Sequence, residues 1–322
     1  MKLLLSLLLG FFLACLSPIQ AAAQRVYGIG TLISDDLFVP AVDGFKKKMA
    51  ELGYTEGKNI KYDSHNAKAN QDALRKLAQA LIRAKPDLIV TSSTSATVPV
   101  AKLTVGSDLP VVFLSAGNPL EFVKSYASSG NNLTGISTAA LDLTPKRLEL
   151  LKEMVPSARR IASINNPKGV NYQEHRAGVR EAVNRLGFTL RELDVTNSDE
   201  VKQVAAALTR QAVDAIIMQP DYMITKNIDV VVKQSIKEKL PLVVTPDAGV
   251  RSGGLASYGH DGFELGQQGA TLVDRILKGA RPRDLPIEQP VKLKLVINLK
   301  TAKAIGLKIS KELLLRADEV IE

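Results

Sequence analysis

The chain has 322 residues, of which 45% are hydrophobic and 23% charged, a balance typical of a globular protein with a sizeable core. Tryptophan is absent and aromatic residues make up only 5%, so aliphatic side chains must fill that core. The formal net charge is +9, but the basic residues are scattered and are not interleaved with aromatic residues, which argues against nucleic-acid binding.

Residues 1–23 have the pattern of a cleavable signal peptide. Lys2 supplies a positive charge, residues 3–16 are almost all apolar, and Ala21 to Ala23 offer the small side chains at which signal peptidase cuts. The apolar run is shorter than the roughly 20 residues that span a bilayer. The sequence therefore predicts export to the periplasm. Cys15, the only cysteine, lies inside the apolar run, so a lipid-anchored form is the alternative.

After the signal, short apolar runs alternate with segments of helical spacing. The strands predicted in the first half are 26–33, 60–62, 88–90 and 111–114, and the second half repeats the order with 161–164, 190–195, 215–218 and 242–244. Continuous apolar strands separated by helices indicate parallel sheets that are covered on both faces.

Two sets of residues match between the halves with identical internal spacing. Gly44, Leu52, Gly53 and Tyr54 correspond to Gly178, Leu186, Gly187 and Phe188, while Leu81, Arg83 and Asp87 correspond to Leu208, Arg210 and Asp214. Because both matches occur in the same order, they predict duplicated α/β domains.

The small residues near 135–137 and at Gly253-Gly254 suggest where the chain passes between the two units. We therefore predict an α/β protein with two Rossmann-like lobes, whose parallel sheets are joined by a multi-strand hinge. The expected division is 24–136 plus 254–284 for lobe 1, and 137–253 plus 285–322 for lobe 2.

Polar loops follow the predicted strands in both halves. Ligands of open parallel sheets bind beyond the carboxyl ends of the strands, so these loops are the candidate ligand-binding residues. They are Ser34, Asp35, Asp36, Ser92, Ser93, Thr94, Ser95, Ser115, Gly117 and Asn118 in the first half, and Asn165, Asn166, Tyr172, Gln219, Asp221, Tyr222 and Asp247 in the second.

The chemistry of these loops suits a small polar organic molecule. Backbone N–H groups at the helix start after Thr94-Ser95 suit a carboxylate. The aspartates suit an ammonium group, and Tyr172 or Tyr222 could stack on an apolar part of the ligand. For any single residue, helix capping is the simpler role. Because both halves repeat the pattern, the set as a whole predicts a cleft.

Motifs of catalysis are scarce. His65, His175 and His260 lack metal-ligand spacing, and we expect them to be exposed to solvent. Gly28-Ile29-Gly30 lacks the third glycine of a dinucleotide fingerprint, and the sequence contains neither a P-loop nor G-x-S-x-G. The sequence therefore predicts a protein that is not an enzyme and holds no metal or cofactor.

Several segments carry a family resemblance. They are Glu51 to Gly57, Asn132 to Gly135, Lys146 to Lys152, Gly254 to Gly259, Leu295 to Lys303 and Arg316 to Glu322. With these segments the chain resembles the ABC transporter substrate-binding protein family, which has a type I periplasmic-binding fold and includes binders of tryptophan and related aromatic amino acids. Gly117-Asn118-Pro119 departs from the Gly-Asp-Pro of many relatives.

The resemblance implies the solute-binding component of an ABC importer. It would capture a small polar organic solute, such as an amino acid or an aromatic acid, and deliver it to a membrane permease that has a separate ATPase. We expect a monomer. Two alternatives stay open: a ligand-sensing module for a membrane receptor, and a soluble α/β enzyme that uses the same cleft.

Overall fold

The computed structural model describes residues 25–138, 142–169, 172–245 and 248–322, which form two α/β lobes. Lobe 1 contains β1 (Tyr27–Ile33), α1 (Val39–Glu51), β2 (Ile60–Asn66), α2 (Gln71–Arg83), β3 (Leu88–Ser92), α3 (Thr94–Leu103), β4 (Val111–Ala116) and β5 (Leu133–Ser137), followed much later in the chain by α10 (Gly262–Leu277).

Lobe 2 contains the other named helices and strands. Its first part contains α4 (Thr144–Met154), β6 (Arg160–Asn165), α5 (Tyr172–Leu186), β7 (Thr189–Asp194), α6 (Ser198–Ala207), β8 (Ala215–Met218), α7 (Tyr222–Lys226), α8 (Ile228–Lys237), β9 (Leu242–Val244), α9 (Ala248–Arg251) and β10 (Ala256–Gly259). Its last part contains β11 (Lys294–Asn298), α11 (Leu299–Ala304), α12 (Lys311–Arg316) and β12 (Glu319–Ile321).

The two sheets have the same strand order. Lobe 1 is ordered β2-β1-β3-β4-β5, and lobe 2 repeats this order as β7-β6-β8-β9-β10 before adding β11 and β12. Neighbouring strands are parallel except for β10 and β11. Apolar side chains of each sheet pack against the helices on both faces. The predicted fold is therefore confirmed.

One of the matched residues has the same structural role in both lobes. The Asp87 carboxylate accepts a 2.7 Å hydrogen bond from the Gly28 amide at the start of β1. The Asp214 carboxylate accepts 2.8 Å bonds from the Arg159 and Arg160 amides at the start of β6. In each lobe this aspartate fixes the first strand beside its neighbour, which explains why the same residue occurs at both positions.

The chain crosses between the lobes later than the sequence suggests. β10 bonds to β9 and β11, so residues 256–259 belong to lobe 2, whereas the sequence analysis assigns them to lobe 1. α10 then packs on α1 in lobe 1. Leu285 and Ile287 are buried in the lobe 1 core although the sequence analysis assigns them to lobe 2. The first crossing lies between β5 and α4, and the second and third crossings therefore lie near 260–261 and 289–293.

The predicted signal peptide and Cys15 lie outside the described residues. In the part of the chain that the structure describes, no helix combines the length and apolar character needed to span a membrane.

Candidate ligand-binding cleft

A cavity of about 600 Å³ lies between the two lobes. Both lobes contribute to its wall, and many of the wall residues directly follow a strand: Ser34 follows β1, Ser93 follows β3, Thr138 follows β5, Asn166 follows β6, Thr245 follows β9 and His260 follows β10. The carboxyl ends of the two sheets therefore face a shared hollow, as expected for a ligand site in parallel α/β folds.

The structure brings ten of the candidate residues together on this wall. They are Ser34, Asp35, Ser93, Thr94, Ser95, Ser115 and Gly117 from lobe 1, and Asn166, Asp221 and Tyr222 from lobe 2. Asp247 lies outside the described residues.

The other six candidates lie away from the cavity wall, and four of them make local contacts instead. Asp36 is exposed and pairs with Lys68, and Asn165 bonds to Ser163. The Tyr172 hydroxyl donates to Asp194 at 3.0 Å, which holds the ring inside lobe 2. Gln219 Oε1 accepts from the backbone amide of Asn166 at 2.7 Å.

The remaining two, Ser92 and Asn118, also lie off the wall. Ser92 is completely buried at the end of β3, one residue before Ser93 on the wall. Asn118 precedes the short 3-10 turn at 119–121 and makes no side-chain capping bond to it.

The N-terminus of α3 opens into the cavity. Ser93 caps the helix by accepting a 3.0 Å bond from the Ala96 amide. Its φ of 100° is a strained value for a residue with a side chain, and its own amide donates to Ser115 at 3.0 Å. Thr94 Oγ1 accepts from the Gly117 amide at 2.9 Å. This arrangement presents the first turn of a ten-residue helix to the cavity, where the positive end of the helix dipole favours a negative group.

Two carboxylates reach the cavity from opposite lobes, Asp35 buried and Asp221 partly buried. Asp35 caps the 3-10 turn at 36–38 and accepts from Ser34 Oγ at 2.7 Å and from the Leu37 amide at 2.9 Å. Asp221 caps α7 and accepts from Asn166 Nδ2 at 3.1 Å and from the Ile224 amide at 3.2 Å. Burial raises the pKa of both carboxyl groups, and the charges of Asp36 and Asp221 raise the pKa of Asp35 further.

An apolar part of the wall was missed by the sequence analysis. It is formed by Leu37, Phe38, Pro40, Leu74 and Met223. The sequence could have indicated Leu37 and Phe38, because they directly follow the polar Ser34-Asp35-Asp36 loop. The 3-10 turn that Asp35 caps places them at the cavity. Apolar residues in such a loop are otherwise hard to distinguish from core residues.

The three histidines differ in their exposure. The expectation of solvent exposure is wrong for His175, which is 1% exposed and has neither ring nitrogen hydrogen-bonded within the described residues. Burial, together with the charge of Arg147, lowers the pKa of His175 to about 4. His260 lies on the cavity wall, and burial with the Arg147 charge also lowers its pKa to about 4. Both imidazoles are therefore neutral at pH 7.

In the described ranges, no group of three or more His, Cys, Asp or Glu residues is arranged to hold a metal ion. Two lobes that share a five-strand order, repeated chain crossings between them and a cavity lined by polar loops of both lobes define a two-lobed solute-binding protein. The model of the ABC transporter substrate-binding protein family matches residues 27–321, and the chain belongs to this family.

Similar proteins agree with this assignment. A tyrosine-binding protein of Clostridioides difficile (strain R20291) is 28% identical over 287 residues, which are 88% of this chain and 81% of that protein. The crystal structure of an ABC domain in complex with L-Trp from Streptococcus pneumonia is 27% identical, with a TM-score of 0.84 over 92% of this chain and 100% of that one.

A third relative is a ligand-free, open substrate-binding protein with adhesive properties from Clostridium difficile. It is 25% identical, and the match covers 92% of this chain and 99% of that one with a TM-score of 0.73. At nearly the same coverage, the TM-score is thus higher for the L-Trp complex than for the open structure.

Proposed function

We propose that this protein captures an aromatic amino acid in the cleft between its lobes and delivers it to an ABC permease that works with a separate ATPase. The observation that carries the proposal is the cavity of about 600 Å³, which combines an apolar wall with buried polar groups from both lobes. Pockets that hold small organic ligands have this size and composition. The proposal includes no catalytic step.

The wall supports an amino acid with a large side chain. The N-terminus of α3 suits its carboxylate, and Phe38, Leu37 and Met223 offer an apolar surface to an aromatic ring. The tyrosine-binding relative and the relative in complex with L-Trp point to the same class of solute. Because both lobes contact the bound solute, binding favours the closed arrangement that a permease would recognise.

The proposal also places the protein outside the cytoplasm. Residues 1–23 have the signal-peptide pattern, and removal of this segment would release a monomeric binding protein into the periplasm. Fractionation of cells that express the full chain, followed by mass determination of the mature N-terminus, tests this part. Cleavage close to Ala23 would support release into the periplasm. A lipid-modified N-terminus at Cys15 would instead show that the protein is anchored to the membrane by a lipid.

A ligand panel tests the proposed solute. We expect L-tryptophan, L-tyrosine or L-phenylalanine at 100 times its dissociation constant to stabilise the protein by about 2.7 kcal/mol, measured as a shift of the thermal unfolding midpoint. Aliphatic amino acids and arabinose serve as controls and should produce smaller shifts. If none of the aromatic amino acids changes the midpoint or gives heat in calorimetric titration, the aromatic assignment is wrong.

A substitution in the apolar wall tests where the ring lies. Phe38→Ala should weaken binding of the aromatic solute by roughly 10- to 100-fold in calorimetry, because burial of a large apolar side chain contributes about 1.5–3 kcal/mol. The control is Val39→Ala, since Val39 is the next residue in the chain and lies off the wall. Equal affinities of the two variants for the solute would show that Phe38 does not contact it.

A further inference from the structure

We propose that Asp35 and Asp221 form a charge clamp, in which the two lobes close fully only around a solute that carries a positive group such as a primary ammonium. Without such a solute, repulsion between the two carboxylates holds the lobes apart. This inference rests on the proposed function, because it names a feature of the solute and a control on closure at the same cleft.

The two carboxylates are anchored in different lobes and meet in one cavity. Asp35 lies in the loop after β1 of lobe 1, and Asp221 lies in the loop after β8 of lobe 2. Both line the cavity, and the charge of Asp221 acts on Asp35. Among the described residues, the groups that donate hydrogen bonds to these carboxylates are neutral: a hydroxyl, an amide side chain and backbone amides.

Within the described residues, no cationic side chain forms an ion pair with either carboxylate. Arg251 lines the cavity but pairs with Glu319 at 2.8 Å. Lys168 also lines the cavity, is exposed and makes no ion pair with Asp35 or Asp221. The neutral His260 supplies no charge at pH 7. The described part of the cleft therefore holds one buried and one partly buried carboxylate, neither of which has a cationic partner among the described residues.

Buried charges of like sign without a counter-charge oppose the arrangement that buries them. Separation of the lobes moves Asp35 and Asp221 apart and exposes both to water. A ligand ammonium placed between them removes the repulsion and adds charge-assisted hydrogen bonds to both lobes at once. A solute without a positive group leaves the repulsion between Asp35 and Asp221 in place. Even if its apolar part and its carboxylate make the same contacts, the lobes would close less completely around it.

The position of the Asp221 carboxylate is built into the fold. Asn166 donates to it, and the Asn166 backbone is held in turn by Gln219. Gly169 leaves room for it, because a Cβ at that position would lie 2.5 Å from Asp221 Oδ2. We infer that Asn166, Gln219 and Gly169 position the lobe 2 half of the clamp.

The first test measures lobe closure in the absence of any solute. Spin labels are attached to Lys76→Cys on α2 and Lys233→Cys on α8, which are exposed positions in different lobes, and no cysteine other than Cys15 occurs in the sequence. We expect the ligand-free protein to be mainly open, and Asp221→Asn or Asp35→Asn to raise its closed population at least about 5-fold, a 1 kcal/mol shift by RT ln 5.

Asparagine has nearly the same shape as aspartate and caps helices equally well, so both variants should keep the fold. Asp36→Asn is the matched control, because Asp36 is adjacent to Asp35, exposed and paired with Lys68 outside the cavity. If both cavity variants, folded by circular dichroism, show the same interlobe distances as the unsubstituted protein, the clamp is overturned.

The second test removes one charge from the solute at a time. L-Phenylalanine should bind at least about 100-fold more tightly than 3-phenylpropionate, which lacks the ammonium, and this ratio should fall at least 10-fold in Asp221→Asn. Phenethylamine lacks the carboxylate but keeps the ammonium. It should therefore bind the unsubstituted protein more tightly than it binds Asp221→Asn. If phenylalanine and 3-phenylpropionate bind equally, the clamp is wrong although the proposed function stands. If no aromatic solute binds, the proposed function fails, and the distance measurements still decide on the clamp.

Discussion

Replacing Gly44 by alanine is expected to lower the free energy of unfolding by about 3 kcal/mol, which is the upper part of the range for overpacking a core. Gly44 lies on α1, where α1 packs directly on α10 of the same lobe. A Cβ at this position would lie 2.0 Å from the carbonyl oxygen of Phe263 and 2.8 Å from its carbonyl carbon. These are backbone atoms at the start of α10, so the clash can be relieved only by moving the two helices apart.

The internal repeat supplies the matched control for this substitution. Gly178 occupies the equivalent position of lobe 2 on α5, and a Cβ there would meet no atom within 4 Å. Gly178→Ala should therefore stabilise the protein by up to about 1 kcal/mol through the higher helix propensity of alanine. Urea unfolding followed by circular dichroism measures both changes. Equal effects of the two substitutions would contradict the argument that close helix contact, rather than helix propensity, requires glycine at position 44.

This pair of glycines also shows which features the sequence match between the halves can predict and which it cannot. The match correctly predicts two lobes of the same topology, and Gly53 and Gly187, with φ of 94° and 71°, end the equivalent helices in the same way. It does not show that Gly44 is needed for close packing while Gly178 is not. The partner of Gly44 is α10, which is more than 200 residues away in sequence and returns from the other lobe.

The lobe boundaries were mispredicted for a related reason. Gly253-Gly254 has the composition of a bend, and the chain does turn there, since Gly253 has a φ of 112°. Yet the strand that follows pairs with β9 and β11, so the turn lies inside lobe 2 and not between the lobes. Strand partners distant in sequence decide this assignment, and local composition contains no information on them.

The sequence predicted the location of the candidate cleft more accurately than the side chains that line it. Loops after strands were correctly expected to face one hollow, because all parallel strands of a sheet end on the same side. Which side chain of a loop enters the hollow depends on one-residue differences. Asp35 lines the cavity while Asp36 points to Lys68, and Asn166 lines it while Asn165 bonds back to Ser163. Capping geometry sets these directions, and the sequence alone does not specify it.

Acid should destabilise the protein through His175. Because the pKa of this imidazole is lowered to about 4 by burial and by Arg147, from about 6.5 in an unfolded chain, the folded state opposes its protonation. The stability contributed by the neutral imidazole is fully present above pH 6.5 and is lost as the pH falls from 6.5 to about 4. Each unit of pKa difference corresponds to about 1.4 kcal/mol, so the expected loss is on the order of 3 kcal/mol.

The same pH series on His175→Leu separates this contribution from that of the carboxylates. We expect the free energy of unfolding of the variant, from urea titrations between pH 7 and 4, to fall by on the order of 3 kcal/mol less than that of the unsubstituted protein. His65→Leu is the control, because His65 is partly exposed on β2 beside Asp63 and should keep the full acid loss. Parallel pH profiles of His175→Leu and the unsubstituted protein would show that His175 is protonated as readily in the folded as in the unfolded state, and that the buried position beside Arg147 is open to water.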